Sequence, residues 1–118
     1  MSDYKEIIID HYKNPRNQGE LAGADKVIDE ANSSCGDIIK IFVKLAEGKI
    51  ADMKWQGIGC AISTAGASML SEKVVGMTKE DLLKFGERGV VEMLGGEINA
   101  GRMKCATLAF RGLLKAFD

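Results

Sequence analysis

The sequence predicts an α+β fold. Alternating apolar and polar residues are concentrated between positions 26 and 56, and helical periodicity occupies the stretches on either side. The Glu47-Gly48 dipeptide joins the two best alternating runs by a connection so short that they must form an antiparallel hairpin.

Residues 3–13 read as a helix, because Tyr4, Ile7, Ile8, His11 and Tyr12 share one face. This apolar stripe packs on the core or meets a partner, and packing is the default. Asn14-Pro15 stops the helix, since the residue before proline is driven out of the α region. Asn17-Gln18-Gly19 then makes a turn. His11, the only histidine, lies on the apolar face and reads as a packed side chain rather than a metal ligand. Residues 26–31 alternate weakly and predict a short edge strand.

The clearest strand is 37–45, with Ile39, Ile41, Val43 and Leu45 on one side and Ile38, Lys40, Phe42 and Lys44 on the other. Its partner, 50–56, sets Ala51, Met53 and Trp55 against Asp52, Lys54 and Gln56. A glycine-rich turn, Gly57-Ile58-Gly59-Cys60, leads to a helix over 63–75 with Ser63 or Thr64 as N-cap and Gly76 as its C′ stop. Thr78 and Asp81 predict a capping arrangement for the next helix, whose inner face is Leu82, Leu83 and Phe85. A short helix around 90–94, a mobile loop over 95–101 and a last helix from about 102–105 to the C-terminus complete the chain.

A length of 118 residues suits a single domain, 1–118, with its own core. Sixteen basic and seventeen acidic residues are spread without a basic patch, so no nucleic-acid partner is expected. No apolar run is long enough for a membrane span, and the N-terminus carries no signal-peptide pattern. A cytoplasmic location is the expectation.

Three cysteines, an odd number, fit metal ligation, thiol chemistry or inert burial in a reducing compartment. Cys35-Gly36-Asp37 sets a thiol and a carboxylate on either side of a glycine that lets the backbone bend. Two anionic groups so close repel unless a cation lies between them. The hairpin places Cys35, Asp37 and Cys60 at one end of the sheet. Cys60 and Cys105 fall at predicted helix starts, where free amides and the helix dipole favour thiolate, and Lys104 adds to the effect at Cys105. Cys35 has no such support and is expected to be the most mobile and exposed of the three. Three thiolates and a carboxylate suit tetrahedral zinc or an iron–sulfur cluster with one oxygen ligand. Spacing alone fits unrelated buried thiols equally well, because no Cys-x-x-Cys pair is present.

Over nearly its whole length the sequence resembles the IscU/SufU/NifU scaffold proteins of iron–sulfur cluster assembly. The resemblance rests on Asp10-His11-Tyr12-Lys13-Asn14-Pro15-Arg16-Asn17, Cys35-Gly36-Asp37, Gly57-Ile58-Gly59-Cys60-Ala61-Ile62-Ser63 and Lys104-Cys105, in that order. It implies a small, mainly antiparallel three-stranded sheet packed on one side by helices. It implies that Cys35, Asp37, Cys60 and Cys105 bind a [2Fe-2S] cluster, with zinc as an alternative occupant. Cys35 would be the persulfide acceptor, and Asp37 the labile ligand that allows transfer. The implied partners are a cysteine desulfurase, apo acceptor proteins and, where such scaffolds dimerise, a second copy.

Two features separate the branches of this resemblance. The IscU branch has histidine where Lys104 stands and a Leu-Pro-Pro-Val-Lys chaperone-recognition segment where this chain reads Glu97-Ile98-Asn99-Ala100-Gly101-Arg102-Met103. Lys104-Cys105-Ala106-Thr107-Leu108 is similar to the SufU branch, but the short span from Cys60 to Cys105 is similar to IscU. Lys104 is therefore either a ligand-exchange partner for Asp37 or a solvated cation. A non-enzymatic scaffold is the first reading, a zinc-dependent persulfide sulfurtransferase the second, and a structural zinc domain the third.

Overall fold

The computed structural model describes residues 2–33, 36–96 and 98–118, and side chains from residue 6 onward within them. Cys35 therefore lies outside the described residues. Strands β1 (Lys26–Asn32), β2 (Asp37–Ala46) and β3 (Lys49–Ile58) form one antiparallel sheet in the order β1-β2-β3. Helix α1 (Ser2–Lys13) precedes the sheet. Helices α2 (Ala61–Lys73), α3 (Lys79–Met93), α4 (Met103–Ala106) and α5 (Leu108–Leu114) follow it, with 3-10 turns at Ala100–Arg102 and Lys115–Phe117. This is the α+β arrangement that the alternation and periodicity predict.

The core lies between the sheet and the helices. Ile28, Ile39, Ile41, Val43, Met53 and Trp55 project from the strands into a cluster with Ala65, Leu70, Leu108 and Leu113. The opposite sheet face carries no helix, and Val27, Ile38 and Ile58 are exposed on it. Glu47 and Gly48 turn the β2–β3 hairpin with φ values of 54° and 77°, the positive pair that a two-residue I′ turn requires.

The hairpin is not the regular ladder that simple alternation predicts. Lys44 pairs with Asp52 but Leu45 pairs with Ile50, so Ala51 is the extra residue of a β-bulge. Below the bulge the side-chain parity inverts. Ile50 is fully buried and Ala51 is exposed, which corrects the placement of Ala51 beside Met53 and Trp55. β3 also runs two residues past Gln56, and this carries it to Ile58, opposite Ile38.

Several local expectations are also revised. On α1, Ile8 and His11 face the core while Ile7 and Tyr12 are exposed, so the inward stripe is narrower than the periodicity predicts. Helix α2 starts at Ala61 with Cys60 as its N-cap, two residues before the predicted start, and ends with Val74 as C-cap. Gly76 has φ 94° but gives its N–H to the Ile50 carbonyl (2.7 Å) and does not close the helix as C′. Thr78 and Asp81 form a full reciprocal capping box on α3. Leu83, however, is exposed, and the expected separate helix near 90–94 is the second limb of α3 beyond a kink at Gly86. Thr107 interrupts the last helix between α4 and α5, with its hydroxyl bonded to the Met103 carbonyl (2.8 Å).

The Asp10–Asn17 segment is a latch. His11 Nδ1 lies 2.7 Å from Ser68 Oγ on α2, and the same hydroxyl oxygen accepts the Arg16 amide at 2.8 Å. Trp55 Nε1 donates to the Arg16 carbonyl (2.9 Å), while backbone bonds Gly19 to Trp55 and Trp55 to Asn17 pair this segment with the free edge of β3. Burial holds the His11 imidazole below its ordinary pKa, helped by the Arg16 charge and opposed by Glu72 and Asp10. The unfolded chain therefore takes up the proton first. Stability is complete above the ordinary histidine value near 6.5 and declines as pH falls below it. Urea midpoints measured from pH 8 down to pH 5 are expected to fall more steeply in the wild type than in His11→Gln.

Candidate metal centre

The site forms at the sheet end where β2 begins and β3 leads into α2. Asp37, the first residue of β2, is only 3% exposed, so its carboxylate must be satisfied internally. Its Oδ1 accepts the Cys60 amide at 3.2 Å, and its Oδ2 lies 3.9 Å from Cys60 Sγ. Ser63 gives its hydroxyl to the Cys60 carbonyl at 3.1 Å and stands 3.9 Å from the same sulfur. Gly59 makes this closure possible. A Cβ there would overlap Ser63 Oγ and sit 3.0 Å from Asp37 Oδ1.

Cys105 arrives from α4. Helix α2 can approach α4 closely because Gly66 has no side chain; a Cβ there would stand 3.0 Å from the Ala106 carbonyl oxygen. Cys105 is buried, and the Asn32 side-chain nitrogen donates to its sulfur at 3.6 Å. One donor atom from each of Asp37, Cys60 and Cys105 falls within 4.8 Å of the others. A cavity of about 490 Å³ opens over them, bounded also by Gly36, Ile58, Gly101 and Arg102. A larger concavity of about 570 Å³, on the sheet face between Ala31 and Ile58, has no thiol among the described residues of its lining.

Burial pushes the half-buried Cys60 thiol up, as does the Asp37 charge. The amides of Ser63 and Ile62 and the Ser63 hydroxyl outweigh both, so the thiol lies below its ordinary range. These donors thus shift Cys60 toward the thiolate, the form that ligates metal. A tetrahedral thiolate site with bonds of about 2.3 Å has donors roughly 3.8 Å apart. The described donors need to close by no more than about 1 Å to meet that spacing.

Of the residues singled out in the sequence, the structure brings Asp37, Cys60 and Cys105 together, and Cys35 lies outside the described residues. Lys104 is exposed, and among the described residues it forms no ion pair with Asp37. The cation bounding the cavity is Arg102, which the sequence reading passed over. Its spacing is the signal: three residues before Cys105 is the same face of a helical turn, whereas one residue before it is not. Asn32 also joins the site through a contact across 73 positions of sequence that no local pattern announces, and Ser63 joins it through Cys60, three residues before it.

The NifU-like N terminal domain family profile matches residues 3–118. This chain belongs to that family. It is 39% identical over 113 residues to the iron-sulfur cluster assembly scaffold protein IscU 1 of Archaeoglobus fulgidus, covering 96% of this chain and 73% of the relative. It is 37% identical to the zinc-dependent sulfurtransferase SufU of Bacillus subtilis, covering 95% of this chain and 87% of that protein. A solved structure from Fervidobacterium islandicum, assigned as a cluster assembly scaffold for the SUF system, matches with a TM-score of 0.84 and 28% identity, over 96% of this chain and 95% of that one. The stretches on which the resemblance rests at positions 10–17, 57–63 and 104–105 thus correspond to the latch, the sheet-to-α2 turn and the α4 approach.

The packing around Gly59 gives a direct test of the site geometry. Gly59→Ala is expected to displace Asp37 and Ser63, lower stability by about 1–3 kcal/mol and weaken zinc binding by about tenfold or more. Urea unfolding and chelator competition measure the two effects.

Proposed function

We propose that this chain is an iron–sulfur cluster assembly scaffold in which Cys35, Asp37, Cys60 and Cys105 hold a [2Fe-2S] cluster as cargo. The observation that carries the reading is the convergence of two cysteine sulfurs and a buried carboxylate, within 4.8 Å of one another, beneath an open cavity. Soft thiolates suit iron–sulfur clusters and zinc alike, so zinc fits the same donors. The scaffold names carried by relatives at 36–39% identity point to the cluster.

The residues divide the work. The acceptor thiolate, assigned to Cys35, attacks the outer sulfur of a persulfide on a donor protein such as a cysteine desulfurase. The new S–S bond forms as the donor's breaks, and the donor cysteine leaves as thiolate. Asp37 keeps Oδ1 on the Cys60 amide and offers Oδ2 to the cavity, an oxygen donor more readily exchanged than a thiolate. That exchange permits release to an apo acceptor protein. Arg102, which bounds the cavity, is the cation at hand when the carboxylate leaves the metal. Thiol chemistry of this kind suits a reducing compartment, which supports a cytoplasmic location. No helix among the described residues is long and apolar enough to cross a membrane.

Anaerobic reconstitution with ferrous iron and sulfide is expected to give the visible absorption of a [2Fe-2S] cluster, lost in Cys60→Ala and Cys105→Ala. If no chromophore forms while zinc stays tightly bound, the scaffold reading fails and sulfur transfer on zinc takes its place.

A further inference from the structure

Asn32 closes β1 and is only 5% exposed. In the register of the sheet it stands opposite Asp37, and its carbonyl accepts the Gly36 amide at 2.9 Å. Its side chain sets Nδ2 3.6 Å from Cys105 Sγ, a contact spanning 73 positions of sequence.

A buried primary amide is expensive unless its N–H groups are received, and a neutral thiol receives them weakly. A thiolate, or a sulfur bound to metal, is a charged acceptor and receives them well. Cys105 is 1% exposed, so protein donors such as the Asn32 amide stand at its sulfur in place of bulk water. A metal-bound sulfur has no proton to give, which means that the nitrogen of Asn32, not its oxygen, must face the sulfur. The orientation found is therefore the one that suits a ligating Cys105.

We infer that Asn32 is a positioning residue for the metal centre: its side-chain amide donates an N–H···S hydrogen bond that holds the Cys105 sulfur on the metal. The inference rests on the reading of this site as a metal centre. It divides the two described cysteines. Cys105, buried and hydrogen-bonded by a side chain from β1, is the retaining ligand. Cys60, half-buried at the cavity wall, is the accessible one. It also links the end of β1 to the helix that carries Cys105.

Cadmium-113 NMR tests this, because cadmium takes thiolate sites and couples to protons across the ligating sulfur. The full chain, loaded with cadmium-113 and labelled with nitrogen-15, is expected to show coupling from the metal to the Cys60 and Cys105 β-protons and to an Asn32 side-chain amide proton. Coupling to both cysteines but not to Asn32 overturns the inference and leaves the metal site standing. Coupling to neither cysteine overturns both. In parallel, Asn32→Ala is expected to weaken zinc binding by about 10- to 100-fold in chelator competition, the usual consequence of losing a partner of a metal ligand. Wild-type affinity in a folded Asn32→Ala protein would also overturn it. If that variant does not fold, the wild-type coupling decides alone.

Discussion

The bond between the Asp37 carboxylate and the Cys60 amide is the constraint on which the site depends. It ties the first residue of β2 to the N-cap of α2, across a span of sequence that contains the whole hairpin. Strand parity sends Asp37 inward with Ile39, Ile41 and Val43; a slip of one residue would send it to the helix-free face with Ile38. The register is in turn set by the Glu47-Gly48 turn and the bulge at Ala51. These two features at one end of the sheet thus decide whether a carboxylate meets a thiol at the other. The bond also explains how a 3% exposed carboxylate is kept: one oxygen accepts a backbone N–H and the other lies 3.9 Å from the Cys60 sulfur in the wall of the cavity.

Helix packing supplies the third donor. Small side chains on α2 let α4 come close enough to deliver Cys105, and the latch formed by residues 10–19 holds α1 against α2 and covers the free edge of β3. The Asp10–Asn17 stretch thereby acts through structure: its histidine, arginine backbone and asparagine fasten to Ser68, Trp55 and Ser71. None of its described side chains is among the grouped donors of the metal centre.

What could be read in the sequence was what local chemistry dictates. The alternation of 37–45, the capping pair Thr78 and Asp81, and the hairpin turn each depend on neighbours a few residues away, and each stands in the structure. The proximity of Asp37 and Cys60 followed from the antiparallel register. The features that escaped are non-local or compensated. The bulge rescues Ile50 for the core at the expense of Ala51, which alternation cannot foresee. Cys60 takes the N-cap position without a close capping hydrogen bond, so no favoured cap residue marked the start of α2. Gly86 kinks α3 where its composition suggested an end. Asn32 lies just beyond the predicted strand 26–31, and its partner sulfur is 73 positions away, so nothing local marks it. Lys104 drew notice for its adjacency to Cys105, while helical geometry gave the cavity to Arg102.

The central claim is that the fold assembles one mixed sulfur–oxygen site from the start of β2, the cap of α2 and α4. X-ray absorption at the zinc edge on the zinc-loaded protein measures that donor set directly. The expected first shell is three sulfurs at about 2.3 Å and one oxygen at about 2.0 Å, with the oxygen lost or replaced in Asp37→Ala. A shell of nitrogen and oxygen alone, or one unchanged by that substitution, would contradict it.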